Sequence, residues 1–487
     1  MRQARSASLV DGPALKSTRE LTHDLPGTDI TIGVDIGTSG VKAIAVDGRG
    51  RVRARARIPH RVHAGEPDTF EHDAEVAWRE GPLRAVAGLG AATDSAVGLG
   101  VVACVPSLVA LNDDLHPLSS GLLYGDRRGR SAGRETPGWT VLRNPLDARE
   151  GEAFLRWASR QWPGARAYWP AQALAAVALG GKPVIDVFTA MTFFPVFDGG
   201  RWDPAMLAEL GLTEDQLPCV KTEFGTSAAQ IAPGGPAGNR APLTLTAGGV
   251  DVVAEQITVG VNEPGDVHVI CGDTLLTWAV MPDAGDVRGL WRIPHARPGL
   301  CLIGGPSNAG GLFLDWAQRL TGTQSGQTTM RPDDIPSWIP YVRGERTPLH
   351  DDSLRASLHG LNLTHDAAAL RRAAYEAAGF VVRHHLDLAG CAPNRIVATG
   401  GGVRDNAWMQ ALADCTGAMV VRSAVPEGAA LGMAWVARMA AGLESAASDA
   451  HHWFRARKPV YPDERWVEPC SRRYKIFRTL TAEHSPC

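Results

Sequence analysis

The chain has 487 residues, too many for one ordinary core, and this length predicts two domains of about 200 to 250 residues each. Lys and Arg total 49 against 52 for Asp and Glu, so a net charge of −3 offers no large basic field to a nucleic acid. No run approaches the ~18 apolar residues of a membrane span, and eight scattered cysteines without a CxxC pair predict a reducing cytoplasm. Small anionic ligands fit this composition better than polyanions.

Residues 1–30 contain Arg and Lys but no apolar core, so they predict a disordered extension rather than a signal peptide. The run from Thr31 to Asp47 then predicts a strand, a Gly-Thr-Ser-Gly turn and a second strand. Glycines at positions 37 and 40 let backbone amides approach an anion, and Thr38 and Ser39 add hydroxyl donors. Asp35 stands where Mg²⁺ bridging two phosphates needs an oxygen ligand. An ordinary hairpin turn with a solvated Asp35 is the alternative.

Four arginines at positions 51, 53, 55 and 57 alternate with small or apolar residues, which places them on one face of a strand. We interpret them as a solvated strand face whose charges discourage edge pairing, rather than as a binding patch. Further along, the residues from Glu71 to Asp73 precede a helix around Trp78 and complement its dipole.

The run from Val97 to Leu118 predicts a strand, a loop and a second strand, with Cys104, Val105 and Pro106 in the loop. After it, Asp126 and Arg127 lie at a strand end, where they either bind ligand hydroxyls or pair with each other. The segment 232–242 is rich in Gly and Pro and predicts a turn that joins the two domains, the second beginning near Leu243.

The second half repeats the pattern of strand, glycine turn and strand. Asp251 follows a glycine pair and precedes an apolar helical stretch, so it is either a helix N-cap or a group that faces a ligand. Three further glycine turns follow strands. The first contains Gly272, Asp273 and Thr274; the second contains Gly304, Gly305, Gly310 and Gly311; and the third contains Gly400, Gly401 and Gly402.

In this order the segments resemble the FGGY carbohydrate kinases of the actin, hexokinase and Hsp70 superfamily, over about Thr31 to Tyr474. The segments 338–376 and 425–442 also look like family signatures. The resemblance implies an α/β fold with two ribonuclease-H-like, actin-like ATPase domains. Residues 31–242 would form the sugar-binding domain and residues 243–487 the nucleotide-binding domain, with the nucleotide cleft between them.

The resemblance also implies the site residues and the cofactors, ATP and Mg²⁺. Asp251 would be the general base that accepts the proton of the sugar hydroxyl, and Asp35 would hold the metal. The nucleotide would contact Gly37, Thr38, Ser39, Gly272, Thr274, Gly310, Gly401, Gly402 and Asn406. Of these, Thr38, Ser39 and Thr274 would face the phosphates, and the Asn406 amide would hydrogen-bond adenine.

Two departures from the family fall within the expected site. Cys104, Val105 and Pro106 replace a Gln-Met-His triplet that touches the sugar, and Asp273 puts a negative charge beside the phosphates. Val105, Pro106, Asp126 and Asp251 remain the expected substrate contacts. A ketose or polyol is the expected substrate, with xylulose the default; a non-catalytic nucleotide- or sugar-binding regulator is the alternative. The expected partners are a small sugar, neither nucleic acid nor membrane, and for self-association a homodimer.

Overall fold

The computed structural model describes residues 29–64, 69–126, 128, 149–282, 285, 287–295, 297, 299–322, 330–351 and 353–482. The predicted extension, residues 1–30, lies outside these ranges except for its last two residues, and so does Arg127. The strands are β1 (Ile30–Gly37), β2 (Gly40–Val46), β3 (Val52–Pro59), β4 (Val62–His63), β5 (Glu71–His72), β6 (Ala96–Ala103), β7 (Ser107–Leu111), β8 (Gly121–Leu123), β9 (Ala167–Trp169), β10 (Val184–Asp186), β11 (Cys219–Lys221), β12 (Ser227–Ile231), β13 (Leu243–Thr246), β14 (Gly249–Val250), β15 (Asp266–Cys271), β16 (Leu275–Pro282), β17 (Trp291–Pro294), β18 (Leu300–Ser307), β19 (Ser337–Ile339), β20 (Ser357–His359), β21 (Arg395–Thr399) and β22 (Val420–Arg422).

The helices are α1 (Gly81–Ala87), α2 (Glu150–Gln161), α3 (Ala171–Ala178), α4 (Val187–Met191), α5 (Pro204–Leu210), α6 (Asp251–Val259), α7 (Gly311–Thr321), α8 (Ala367–Ala389), α9 (Asn406–Thr416), α10 (Gly428–Ala440) and α11 (Glu464–Ala482). A π-helical segment (Glu75–Glu80) leads into α1 and carries Trp78, as the sequence predicts. Short 3₁₀ turns are Gly90–Thr93, Glu214–Gln216, Gly401–Arg404 and Ala447–Trp453.

The first large sheet has the strand order β12-β13-β6-β1-β2-β3, and β14 also pairs with β6. Its central strand β1 is almost wholly buried, because its apolar side chains pack on both faces. The antiparallel β1–β2 hairpin turns through Thr38 and Ser39, which confirms the predicted hairpin. The arginine-bearing strand β3 lies at the edge of the sheet, as its charge pattern predicts.

The second large sheet has the order β17-β18-β16-β15-β21-β22 and repeats the local arrangement of the first. In the first sheet β1 has an antiparallel neighbour, β2, and a parallel neighbour, β6; in the second sheet β15 has β16 and β21 in the same roles. Each sheet has its own hydrophobic cluster. The repeat confirms the predicted fold of two similar α/β halves.

Two helices from the second half of the sequence pack against the first sheet. The apolar faces of α6 and α10 join β2 and β6 side chains in one buried cluster. A Cβ atom at Gly33 of β1 would lie 1.8 Å from the carbonyl oxygen of Ala430, so the close approach of α10 requires glycine there. The C-terminal part of the chain therefore contributes to the support of the Asp35 hairpin.

The segment 232–242 is a turn, as predicted, but it does not lead from the first sheet to the second. It connects β12 to β13, which are antiparallel neighbours in the first sheet. The chain reaches the second sheet only at β15, after α6. We keep the limits 31–242 and 243–487 as a prediction about folding units, since sheet membership alone does not define such units.

Candidate active site

Three parallel strands of the first sheet end at one edge, which we call the carboxylate edge and define by Asp35, Cys104 and Asp251. In the parallel pairing of β1 with β6, Asp35 lies opposite Val102. In the pairing of β14 with β6, Val250 lies opposite Ala103, so Asp251 follows at the same level as Cys104. Strand pairing thus brings together two carboxylates that are far apart in the sequence.

Asp251 is the first residue of α6, and its carboxylate accepts a hydrogen bond of 2.7 Å from the backbone N–H of Val252. Burial, and next the negative charge of Asp35, raise the pKa of Asp251 to about 7. The residue in the N-cap position is Val250, so Asp251 is not the N-cap that the alternative interpretation required. Asp251 as a whole residue is partly exposed.

Asp35 is 6% exposed, and its Oδ2 atom accepts a hydrogen bond of 2.9 Å from the Nζ atom of Lys42. The nearby carboxylate raises the pKa of Lys42 well above its ordinary value. Glu255 lies one helical turn after Asp251 in α6 and is buried. Burial raises its pKa to about 7, although the nearby Thr399 hydroxyl lowers it in part. The carboxylate edge therefore holds three carboxylates around one ammonium group.

The hairpin turn places its two hydroxyl groups differently. Thr38 Oγ1 lies 3.0 Å from the hydroxyl of Tyr124 and 3.9 Å from the Sγ atom of Cys104, so it faces the other strands of its own half. The side chain of Ser39 is exposed. Of the two hydroxyl groups predicted to face phosphate, Ser39 is therefore the one open to solvent.

Two of the expected sugar contacts, Val105 and Pro106, belong to an apolar wall beside Asp251, since Val105 packs on the cluster that contains Val250 and Val252. Val105 is partly exposed and packs with Leu276 and Trp291 against one buried cluster, while Pro106 is buried. The Arg346 guanidinium lies 5.7 Å from the ring centre of Tyr124 and 5.3 Å from that of Trp291. This wall therefore combines apolar surface with one cation.

Asp126 is fully buried, and its carboxylate accepts hydrogen bonds from the backbone N–H of Phe70 and from Arg128. Asp126 thus forms an ion pair with Arg128, and the alternative that Asp126 pairs with Arg127 lies outside the described residues. This arrangement favours a structural role for Asp126, and its contact with substrate stays a prediction.

Loops at the ends of β15, β18 and β21 converge on one edge of the second sheet, which we call the glycine edge. The N–H groups of Gly311 and Leu312 donate to the carbonyl oxygens of Gly272 and Asp273, at 2.8 and 3.1 Å. A Cβ atom at Gly310 would lie 2.4 Å from the carbonyl carbon of Thr274, so these loops pack too closely for a side chain there.

Gly401 and Gly402 belong to the same edge, because Gly400 at the end of β21 packs on the backbone of Cys271 at the end of β15. Thr399 precedes them and lies near Glu255, so the glycine edge and the carboxylate edge are close to each other there. The Asp273 side chain is exposed and has no partner among the residues that the structure describes.

Asn406 is the first residue of α9, and its Oδ1 atom accepts a hydrogen bond of 2.7 Å from Nη1 of Arg422. A guanidinium group only donates, so the amide must present its oxygen to Arg422. Its NH₂ group is then left to donate elsewhere, on the exposed side of the helix start.

Sequence reasoning missed four residues of these edges, namely Lys42, Tyr124, Glu255 and Arg346. Lys42 had a usable signal, since a two-residue turn at 38–39 makes position 42 the partner of position 35. Glu255 lies four residues after Asp251 and thus on the same helix face. Tyr124 and Arg346 meet only through tertiary packing, for which the sequence has no local signal.

Within the described ranges, no group of three or more His, Cys, Asp or Glu side chains is arranged to hold a metal ion. None of the described helices is both long and apolar enough to cross a membrane. A single carboxylate is still a sufficient protein ligand for Mg²⁺ when phosphates and water complete the coordination, and Oδ1 of Asp35 has no protein partner in the described part of the chain. Asp35 therefore fits the role of metal ligand.

Two family models match the sequence, the N-terminal domain of the FGGY family of carbohydrate kinases at residues 30–135 and its C-terminal domain at residues 295–441. Together they cover just over half of the chain. The chain belongs to the FGGY family of carbohydrate kinases. The predicted resemblance is confirmed, and the protein is a carbohydrate kinase.

Full-length relatives agree with this assignment. The kinase is 25% identical to the xylulose kinase of Escherichia coli (strain K12), over 93% of this chain and 99% of the relative. It is also 25% identical to the glycerol kinase of Delftia acidovorans, over 88% of this chain and 94% of that one. Membership in a kinase family does not favour the regulator alternative.

Solved structures show the same fold. The xylulose kinase from Rhodospirillum rubrum superposes with a TM-score of 0.75 at 25% identity, over 93% of this chain and 98% of that one. The glycerol kinase from Plasmodium falciparum gives 0.73 at 14% identity, over 93% and 98% of the two chains. The kinase therefore has the two-domain, actin-like ATPase fold that the sequence predicted.

Proposed function

We propose that the kinase transfers the γ-phosphoryl group of ATP to a hydroxyl group of a ketose or polyol, with Asp251 as the general base. The observation that carries this proposal is the meeting of Asp35 and Asp251 at the carboxylate edge, where burial and Asp35 raise the pKa of Asp251 to about 7. A carboxylate with a pKa near the working pH is well matched to accept a proton during the reaction.

In the proposed reaction the substrate oxygen attacks the γ-phosphorus and the bond to the β-phosphate oxygen breaks, leaving ADP. Asp251 takes the hydroxyl proton as the new P–O bond forms. Mg²⁺, bound through Asp35 and the phosphates, would neutralise charge on the phosphate oxygens. Lys42, held 2.9 Å from Asp35, adds a positive charge next to the same phosphates.

We assign the phosphates to the space between the two edges and the adenosine to the glycine edge. The hairpin of Gly37, Thr38 and Ser39 would face the phosphates from one side. Gly272, Thr274 and Gly310 would face them from the other, and Gly401 and Gly402 would lie against the nucleoside. Because Arg422 fixes the Asn406 oxygen, the Asn406 amide would donate to an acceptor nitrogen of adenine.

For the sugar, xylulose is the first substrate to test, since relatives from several bacteria are named xylulose kinases. The apolar wall of Val105 and Pro106 cannot hydrogen-bond hydroxyl groups as a Gln-Met-His triplet would. The preferred sugar is therefore expected to differ from that of family members with the triplet, in the pattern of hydroxyl groups on the side that meets this wall. We place the reaction in the cytoplasm, which fits the seven described cysteines, all unpaired. The homodimer stays a prediction.

The test is an ADP-release screen over pentuloses, hexuloses, tetritols and cyclitols, followed by Asp251→Asn with the best substrate. Asn preserves the volume but not the basicity, so kcat should fall by about 10² to 10⁴ while Mg-ATP binding is retained. Asp113→Asn, in the exposed turn after β7, is the matched control. An Asp251→Asn variant with more than about a tenth of wild-type kcat would show that Asp251 is not the base.

A further inference from the structure

Two histidines bind consecutive carbonyl groups of the β1–β2 turn. The Nε2 atom of His60 lies 3.0 Å from the carbonyl oxygen of Gly37, and the Nε2 atom of His72 lies 2.9 Å from that of Thr38. The imidazole rings meet edge to face, with centres 4.4 Å apart. The carbonyl side of the turn is thus bound by one side chain from the β3–β4 connection and one from β5.

The tautomer of His72 follows from a third residue. The indole N–H of Trp78 donates to Nδ1 of His72 at 3.0 Å, so in the neutral ring the proton is on Nε2 and donates to Thr38. His72 and Trp78 are almost fully buried. Burial lowers the pKa of both histidines, that of His72 to about 4, so both rings are neutral near pH 7.

Fixing a carbonyl also fixes the N–H of the same peptide group, because the peptide is planar and its C=O and N–H point in opposite directions. The carbonyl of Gly37 shares a peptide group with the N–H of Thr38, and that of Thr38 with the N–H of Ser39. Neither N–H has an acceptor among the described residues. Both are therefore directed away from the histidines, on the side of the turn opposite to them.

We propose that His60 and His72 are positioning residues that hold these two N–H groups as a preformed donor pair for a phosphate group of the nucleotide. The inference rests on the proposed function, in which this turn faces ATP. Two aligned backbone donors bind an anion without the cost of ordering the turn on binding. The side chain of Thr38 adds nothing to this pair, since its hydroxyl is bonded to Tyr124.

A purely structural role predicts a different outcome from a positioning role. If the histidines only support packing, any side chain of similar size preserves nucleotide binding, and damage appears as lower thermal stability. If they orient the turn, a side chain with a donor at the Nε2 position preserves binding, and a side chain of equal size without a donor does not. Gln supplies such a donor, and Met has nearly the same length without one.

The experiment compares His72→Gln with His72→Met, and His60→Gln with His60→Met. Affinity for Mg-ADP is measured by calorimetry, and KM for ATP and for the sugar by steady-state kinetics. The Tm of each variant is measured by thermal unfolding without ligand. His60 is partly exposed and has no Trp partner, so His60→Met keeps the comparison available if His72→Met lowers stability strongly. His452→Met, at an exposed position, is the control.

We expect each Met variant to lose about tenfold in Mg-ADP affinity and to raise KM for ATP equally, with KM for the sugar nearly unchanged. Each Gln variant should bind like wild type. Folded Met variants that bind Mg-ADP as wild type does would overturn the proposal, and so would equal losses in the Gln and Met variants. A wild-type protein that does not bind Mg-ADP would instead reject the proposed function itself.

Discussion

The Nζ atom of Lys42 lies 2.9 Å from Oδ2 of Asp35, across the two strands of the hairpin. The pair is a direct consequence of turn length, since a turn of two residues sets Gly37 opposite Gly40 and, two steps further, Asp35 opposite Lys42. Lys42 stays charged, because Asp35 raises its pKa. One carboxylate thus holds a cation at the place proposed for the phosphates.

Lys42→Met is expected to raise KM for ATP by about tenfold or more, because it removes a positive charge at close range from an anionic ligand. The sugar KM should change less. Lys182→Met, which removes an exposed lysine before β10, controls for net charge. Unchanged nucleotide affinity in Lys42→Met would mean that Lys42 forms an ion pair with Asp35 but does not bind the nucleotide.

Asp273→Thr is expected to tighten Mg-ATP binding by about threefold to tenfold. The exposed carboxylate lies in the loop proposed to face phosphate and has no cation partner in the described part of the chain, so its charge opposes that of the nucleotide. Calorimetry at two salt concentrations measures the change, which should shrink at high salt. Asp113→Thr makes the same charge change in the turn after β7. Weaker binding in Asp273→Thr would instead indicate that Asp273 helps to hold Mg²⁺.

The sequence predicted those parts of the site that local chemistry determines. Each of the turns at 37–40, 310–311 and 400–402 has a glycine where the chain passes close to other backbone, at Gly40, Gly310 and Gly400. Such glycine turns are readable from a single sequence. The loop 232–242 shows the limit of this reasoning. Its Gly and Pro residues predict a turn correctly but contain no information on which strands the turn connects.

The partners of buried polar side chains were equally out of reach. The structure buries Asp126 against Phe70 and Arg128, whereas the sequence left open a contact with ligand or with Arg127. The burial of Asp126 depends on how the strands assemble, so the sequence could not predict it. The meeting of Tyr124 with Arg346 has the same origin, since each residue lies in a different half of the chain.

The pH dependence of activity is expected to follow Asp251. A base must be ionised to accept a proton, and burial together with Asp35 places the pKa of Asp251 at about 7. The value of kcat/KM should therefore rise between about pH 6 and pH 8 and then level off. The measurement is kcat/KM as a function of pH for wild type and for Asp251→Asn. The residual activity of the variant should lack this rise. A wild-type profile that is flat from pH 5.5 to pH 8 would contradict the assignment of the base.

The last prediction concerns acid stability and the fully buried His268 of β15. Its Nε2 atom hydrogen-bonds Thr399 at 2.9 Å, and burial lowers its pKa to about 3. An unfolded histidine titrates near pH 6.5, so below that pH the unfolded chain binds a proton that the folded chain does not. Above about pH 6.5 this proton binding costs the folded state almost no stability, and the free energy of unfolding falls as the pH drops toward 3. Between pH 7.5 and pH 5 the free energy of unfolding falls by about 2 kcal/mol because of His268.

His268→Gln retains a donor for Thr399 and removes this titration. Its free energy of unfolding should therefore fall less than that of wild type between pH 7.5 and pH 5, even if the variant is less stable at both values. Urea denaturation at the two pH values measures the difference, and His452→Gln at an exposed position should behave like wild type. Equal pH dependence in wild type and His268→Gln would show that His268 is already protonated in the folded kinase at pH 5, which its complete burial argues against.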